Sequence, residues 1–214
     1  MVKSQTINEY ISNLVKSSIN KAVLNMQEDR SSEIHVTDLT TCIRRSYFEK
    51  VYGRKINYPN SLFILRGILV HEAILEQLAK ELKANYEIEI EYKGIKGRID
   101  LLTEKEVIEI KTINKVPIFP YSGHLEQLNF YCFASDRDVG ILVYVGIADG
   151  KVISFEHYAN REMLDKTLEK FVKLKESLEQ LVPPSSNLDL VSRKIFCPNC
   201  PYRDKCEEEV VWYD

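Results

Sequence analysis

The chain has no long apolar run and no surplus of either charge, and each absence closes a class of function. No stretch of its 214 residues approaches the roughly 18 consecutive apolar residues of a membrane span. The start lacks the apolar core of a signal peptide, so the expected setting is soluble and cytoplasmic, without a membrane partner. With 29 Lys and Arg against 32 Asp and Glu, the net charge is −3, which excludes attraction for nucleic acid by the surface as a whole. Phosphate binding would have to come from local clusters: Arg44, Arg45, Lys50, Arg54 and Lys55, or Lys93, Lys96 and Arg98. Glycine and proline are sparse, at 8 and 7, and there is neither internal repeat nor low-complexity segment. The length supports one good hydrophobic core. We expect a single domain over 1–214, with a helical part at 1–64, a core at 65–182 and a cysteine-bearing segment at 183–214.

Periodicity predicts an amphipathic helix over about 5–27 and a second helix that starts near Thr37 or Asp38 and runs through Cys42 toward Gly53. A third runs from about Leu65 to Ala84, with Leu69, Leu75, Leu78 and Leu82 on or near one face. Strands follow at 86–93, 95–102 and 106–112, then a helix at 124–134 and strands at 139–147 and 151–158. Asn160 caps a charged helix that ends near Leu181, ahead of Pro183-Pro184. The first and last helices could pack internally or on a second copy, and periodicity leaves a homo-oligomer open.

The most informative segment is Asp100 to Lys111. If Ile95–Leu102 and Glu106–Thr112 close as a hairpin around Thr103-Glu104-Lys105, Leu102 faces Val107 and Asp100 faces Glu109. Alternation then sets Ile99, Leu101, Ile108 and Ile110 on an apolar face, and Asp100, Glu109 and Lys111 on the other, open to a cleft. With Cβ atoms roughly 4.5 to 5.5 Å apart, the opposed carboxylates could grip one hard cation, magnesium or manganese, which prefer oxygen ligands. A solvated hairpin would carry the same string of charges, so the rest of the chain must decide.

The cysteines decide in part. Cys197, Cys200 and Cys206 crowd the end of the chain, Cys42 lies far upstream, and Cys132 sits alone in an apolar helix, as a small buried thiol does. In an intracellular protein the four favour metal over disulfide. Their spacing leaves two occupants open: zinc, the commoner guest of four cysteines, and an iron-sulfur cluster.

Together these features resemble the RecB-like, PD-(D/E)xK-fold nucleases that carry an iron-sulfur cluster, closest to the fourth CRISPR-associated (Cas) nuclease family. The resemblance spans about Val36 to Cys206. It includes Arg66-Gly67-Ile68-Leu69-Val70-His71, similar to the family's upstream histidine motif, and Gln127-Leu-Asn-Phe-Tyr131, similar to its Q-x-x-x-Y motif. Arg98-Ile99-Asp100 stands where the family name places a proline before the aspartate.

The resemblance implies an α/β fold, a central mixed sheet flanked by helices, with a [4Fe-4S] cluster joining the early helices to the C-terminal segment. Zinc at the four cysteines is the alternative. It implies that His71, Asp100, Glu109 and the backbone carbonyl of Ile110 hold magnesium or manganese, and that Lys111, Gln127 and Tyr131 complete the catalytic set. The implied partner is DNA, mainly single-stranded, cut as an exonuclease from the 5′ end, with endonuclease cleavage as a second mode. CRISPR integrase proteins are implied partners if the protein serves spacer acquisition; processing of viral or mobile-element DNA, in a host cytoplasm, is the other setting. The runner-up role is an iron-sulfur DNA-binding or assembly subunit of weak activity. Tyr47, Phe48, Tyr52 and Tyr58 are candidates for base stacking.

Overall fold

The computed structural model describes residues 7–26, 32–55 and 60–208. Helices α1 (Ile7–Asn25), α2 (Val36–Leu39), α3 (Ile43–Tyr52) and α4 (Asn60–Leu82) precede strands β1 (Asn85–Tyr92), β2 (Ile95–Leu102) and β3 (Glu106–Ile113). Helix α5 (Ser122–Ala134) crosses to β4 (Val139–Gly146) and β5 (Val152–Tyr158). Then come α6 (Arg161–Gln180), α7 (Leu190–Phe196), a 3₁₀ turn at Cys197–Asn199 and α8 (Arg203–Glu208).

The strands form one sheet in the order β1-β2-β3-β4-β5. β3 and β4 run parallel, and the other pairs are antiparallel. A parallel pair needs a crossover, and α5 supplies it. The fold is therefore α/β, a central mixed five-stranded sheet flanked by helices. β3 sits in the middle of the sheet, and Val107, Ile108, Glu109 and Ile110 in succession are buried, as expected of a strand covered on both faces. One core cluster joins Val36, Leu39, Phe48, Ile99, Val107, Leu128, Tyr131, Tyr144, Leu164 and Tyr202. The other joins Leu75 and Ala79 of α4 to Leu101, Ile108 and Ile110. The Asn160 side chain caps α6 by accepting the Met163 N–H at 2.9 Å.

Three expectations are corrected. The helix predicted through Cys42 is two helices, and Cys42 is the N-cap residue of α3 rather than inside it. The cause is a long-range cap: Asn187 accepts the Ile43 N–H at 2.9 Å and donates to the Thr41 carbonyl at 3.0 Å. The stripe on α4 is also narrower than predicted, because Leu75 is buried while Leu69 and Leu82 are exposed.

The third correction concerns the hairpin. Leu102 pairs with Val107 and Leu101 with Ile108, in the expected register, but the paired ladder ends there and Asp100 has no opposed Glu109. On its other side, β1 and β2 skip the Glu87–Asp100 pair, and Glu87 takes a left-handed φ of 50°. With the sheet interrupted on both sides of Asp100, Ile99 joins the first core cluster while Leu101 joins the second, so the four apolar residues do not share one face. Nor does the charged row face an open cleft: α5 lies over it, and Glu109 is only 2% exposed.

Candidate active site

Asp100 stands where the sheet opens. Its Oδ2 accepts the Ile110 N–H at 2.7 Å and is hydrogen-bonded to His71 Nε2 at 3.1 Å. His71 is delivered by α4, whose preceding turn lies close against β3: Thr112 Oγ1 donates to the Gly67 carbonyl at 3.2 Å. A Cβ at Gly67 would come within 3.1 Å of that hydroxyl, so the helix approaches closely because the residue is glycine. The hydrogen bond to Asp100 raises the His71 pKa above its ordinary value.

Glu109 and Lys111 project from β3 toward α5. Lys111 Nζ donates to Glu109 Oε1 at 2.6 Å and to Gln127 Oε1 at 2.8 Å. Gln127 Nε2 donates to the Tyr131 hydroxyl at 3.0 Å, one helical turn on. The same hydroxyl accepts the Arg98 N–H at 3.3 Å, which ties α5 back to β2. Gly97 makes this possible, since a Cβ there would stand 2.6 Å from Tyr131 Cε1. The six side chains thus form two groups on four elements, the pair His71–Asp100 and the run Glu109–Lys111–Gln127–Tyr131, which meet at β3 through the Ile110 N–H.

The electrostatics follow from burial. Removal from water, then the Asp100 charge, push the Glu109 carboxyl up to about 7. Burial works against the charge of Lys111, but Glu109 and Asp100 outweigh it and the net shift is upward, so the lysine stays cationic. Glu109 Oε2 is buried without a hydrogen-bond partner, a costly state for a carboxylate oxygen. Two carboxylates, one of them with an unpartnered oxygen, are a donor set suited to a hard divalent cation. As they stand, no three His, Cys, Asp or Glu side chains among the described residues form a closed metal cage; His71 and Lys111 hold the carboxylates instead.

The four cysteines come from both ends of the chain to one neighbourhood. The Cys197 thiol is raised by burial and then by Cys42, Cys200 and Cys206 beside it. All are free thiols of intermediate burial, and Arg44 Nε donates to Cys206 Sγ at 3.2 Å. They too fall short of a ready metal cage. Cys132 is fully buried, and burial pushes its thiol up to about 12.

The predicted basic clusters are largely spent on structure. Lys50 pairs with Asp38 at 2.8 Å, Arg54 with Glu49 at 3.1 Å and Lys96 with Glu33 at 2.5 Å. Tyr47 and Phe48 are core residues. Tyr52 is exposed with Lys205 Nζ over its ring at 5.5 Å, and Tyr58 lies outside the described residues.

Sequence reading missed His124 and Tyr144. His124 Nδ1 lies 2.8 Å from the Tyr144 hydroxyl, and Tyr144 is the register partner of Lys111. Burial, then the charge of Lys111, lower the His124 pKa to about 4, so its imidazole is neutral. The signal was present in the spacing, since His124 precedes Gln127 and Tyr131 by three and seven residues on the same helix face.

Comparison with known proteins places the chain in a family. The CRISPR-associated exonuclease Cas4 of Saccharolobus solfataricus is 29% identical over 149 residues, covering 62% of this chain and 71% of that protein. The crystal structure of SSO0001 superposes with a TM-score of 0.61 at 24% identity, covering 92% of this chain and 96% of that one. The alkaline exonuclease LHK-Exo of Laribacter hongkongensis shares the fold at a TM-score of 0.52 and 13% identity, over 71% of this chain and 92% of its own. The model of the PD-(D/E)XK nuclease superfamily matches residues 38–207. The chain therefore belongs to the PD-(D/E)XK nuclease superfamily, as a RecB-type nuclease similar to Cas4.

Proposed function

We propose that the protein is a divalent-cation-dependent deoxyribonuclease that hydrolyses phosphodiester bonds of mainly single-stranded DNA. The observation that carries this reading is Glu109: a nearly buried carboxylate, one oxygen on Lys111 and the other without a partner, in a row with Asp100 and His71. Those three side chains, with the Ile110 carbonyl, would hold magnesium or manganese. The bound cation would acidify a water and polarise the scissile phosphate.

The chain's own residues do the rest. Lys111 keeps its charge beside Glu109 and is aimed by Gln127, so it can orient the attacking water and meet the charge that develops on phosphate. Tyr131 fixes Gln127 and thus the lysine. His71 steadies the Asp100 carboxylate while the Ile110 N–H fixes its rotamer. Such preorganisation matters because donors already aimed at developing charge need no rearrangement during reaction.

Cleavage as an exonuclease is supported by the similarity to Cas4 and to the alkaline exonuclease; we assign polarity from the 5′ end, with endonuclease cleavage as a second mode. We also propose a role in CRISPR spacer acquisition beside integrase proteins, or in processing viral or mobile-element DNA, in keeping with the similarity to a CRISPR-associated exonuclease. For Cys42, Cys197, Cys200 and Cys206 we propose a [4Fe-4S] cluster, with zinc as the alternative. Their convergence from both ends of the chain supports a structural staple, because metal-binding energy becomes folding energy.

The deciding experiment is cleavage of end-labelled single-stranded and duplex DNA with manganese or magnesium, with the Glu109→Ala variant alongside. Cleavage confined to the wild type establishes the nuclease and gives its polarity. Equal cleavage by both, or none, would leave DNA binding or assembly as the role.

A further inference from the structure

Residues 114–121, between β3 and α5, carry two of the most exposed large apolar side chains among the described residues: Ile118 at 83% and Phe119 at 79%. The segment is nevertheless pinned at both ends. At its start, Ile147 and Ala148 donate N–H groups to the carbonyls of Ile113 and Asn114 at 2.8 and 2.9 Å. Val116 N–H reaches Asp149 at 3.4 Å. At its end, the Tyr121 N–H donates to the Tyr144 hydroxyl at 3.0 Å. The Tyr121 ring packs edge-on against His124 and Tyr144, with centroids 5.5 and 5.9 Å away. Pro117 and Pro120 restrict the backbone between these anchors.

The position is as informative as the exposure. Tyr144, which anchors the end of the segment, is the register partner of Lys111, so the segment is tied to the strand position next to the row assigned above to phosphodiester cleavage. Arg66 of α4 reaches the start of the segment. Its Nη2 donates to Asn114 at 3.4 Å, its guanidinium lies 5.5 Å from the Phe63 ring centroid, and its Nε has no hydrogen-bond partner. Within the segment, Lys115 is exposed.

We propose that Ile118 and Phe119 form a stacking platform for an unpaired nucleobase of the strand whose phosphate occupies the Lys111–Glu109 row. Arg66 and Lys115 take adjacent backbone phosphates. This rests on the nuclease reading and specifies its substrate contact. The occupant is a nucleobase because the tip combines an aromatic face with flanking cations, the pairing that single strands use when bases stack and phosphates seek charge. It is an unpaired base because the bases of a duplex already spend their faces on one another. A pinned segment also gives up little freedom when it binds.

The test separates binding from cleavage. Fluorescence anisotropy of a labelled oligothymidylate, with wild-type protein in EDTA, reads binding where nothing is cut. Phe119→Ala should weaken it by about fivefold to about a hundredfold, the range found when stacking aromatics are truncated. Phe119→Trp should restore it, and both variants should melt at the wild-type temperature. A single abasic nucleotide scanned along the oligonucleotide should weaken wild-type binding at one position, and Phe119→Ala should abolish that sensitivity. Unchanged binding by Phe119→Ala, or an abasic effect that persists in the variant, overturns the platform. So does loss of a self-assembled form in place of DNA affinity, which would make the tip a contact between copies. If binding depends on Phe119 but manganese and magnesium support no cleavage, the nuclease reading fails and the stacking site stands.

Discussion

The Asp100 carboxylate accepts the Ile110 N–H at 2.7 Å, across the gap left where β2 and β3 stop pairing. One side chain thus does two things: it satisfies a strand N–H, and it holds a carboxylate beside Glu109. These separate by substitution. Asp100→Asn keeps an acceptor for Ile110 and removes the negative charge, so its urea midpoint should stay near wild type while cleavage falls about a hundredfold or more. Asp100→Ala should lose the activity and, in addition, about 1–3 kcal/mol of stability, the cost of an unsatisfied buried donor. An Asn variant that cleaves normally would confine Asp100 to structure.

Glu109 predicts a pH dependence. Burial, then Asp100, raise its carboxyl from 4.5 to about 7. Between those values the folded protein keeps a proton that the unfolded chain releases, so stability of the cation-free protein falls as pH rises through the window. A shift of that size is worth about 3 kcal/mol at most. A cation that binds ionised Glu109 reverses the penalty. The rise in melting temperature on adding manganese should therefore be larger at about pH 8 than at about pH 5. An equal rise at both would remove Glu109 from the cation site.

Tyr131 and Gly97 should behave as one unit. A Cβ at Gly97 would meet Tyr131 Cε1 at 2.6 Å, so Gly97→Ala displaces the ring, at about 1–3 kcal/mol. The hydroxyl that receives Gln127 and the Arg98 N–H moves with it, and Lys111 loses its aim. Tyr131→Phe removes the same acceptor without the clash. Each variant should cut more slowly, and the double variant should cut little worse than either alone. Losses that multiply would show that the two act separately.

Local pattern made much of this legible. Alternation placed β2 at 95–102 as observed, and Asn160 announced the start of α6. Of the residues named from motif spacing, Glu109, Lys111, Gln127 and Tyr131 form one hydrogen-bonded run and His71 pairs with Asp100. What pattern could not show were competitions settled at long range. Nothing within two strands says that Asp100 will take the Ile110 N–H, or that Glu87 will adopt a left-handed backbone. Nothing near residue 42 says that Asn187 will cap α3 from 144 residues away. The basic clusters looked like phosphate sites because their partners, Glu33, Asp38 and Glu49, are identified only by folding.

Cys42 begins α3, where Asn187 already ties the C-terminal segment to the early helices. A metal group bound by Cys42 with Cys197, Cys200 and Cys206 would strengthen that same junction. Cys200→Ala should therefore release the metal and lower the melting temperature together. Asn187→Ala should lower the melting temperature while the metal stays bound, since it removes the cap and no thiol. Cys132, buried in the core with its thiol pushed up to about 12, should be replaceable by Ala without metal loss. Iron with inorganic sulfide and a brown colour would identify a cluster, and zinc in a colourless protein the alternative. If anaerobically purified wild type contains neither, the junction rests on Asn187 and packing alone, and Cys200→Ala should then melt within about 0.5 kcal/mol of wild type.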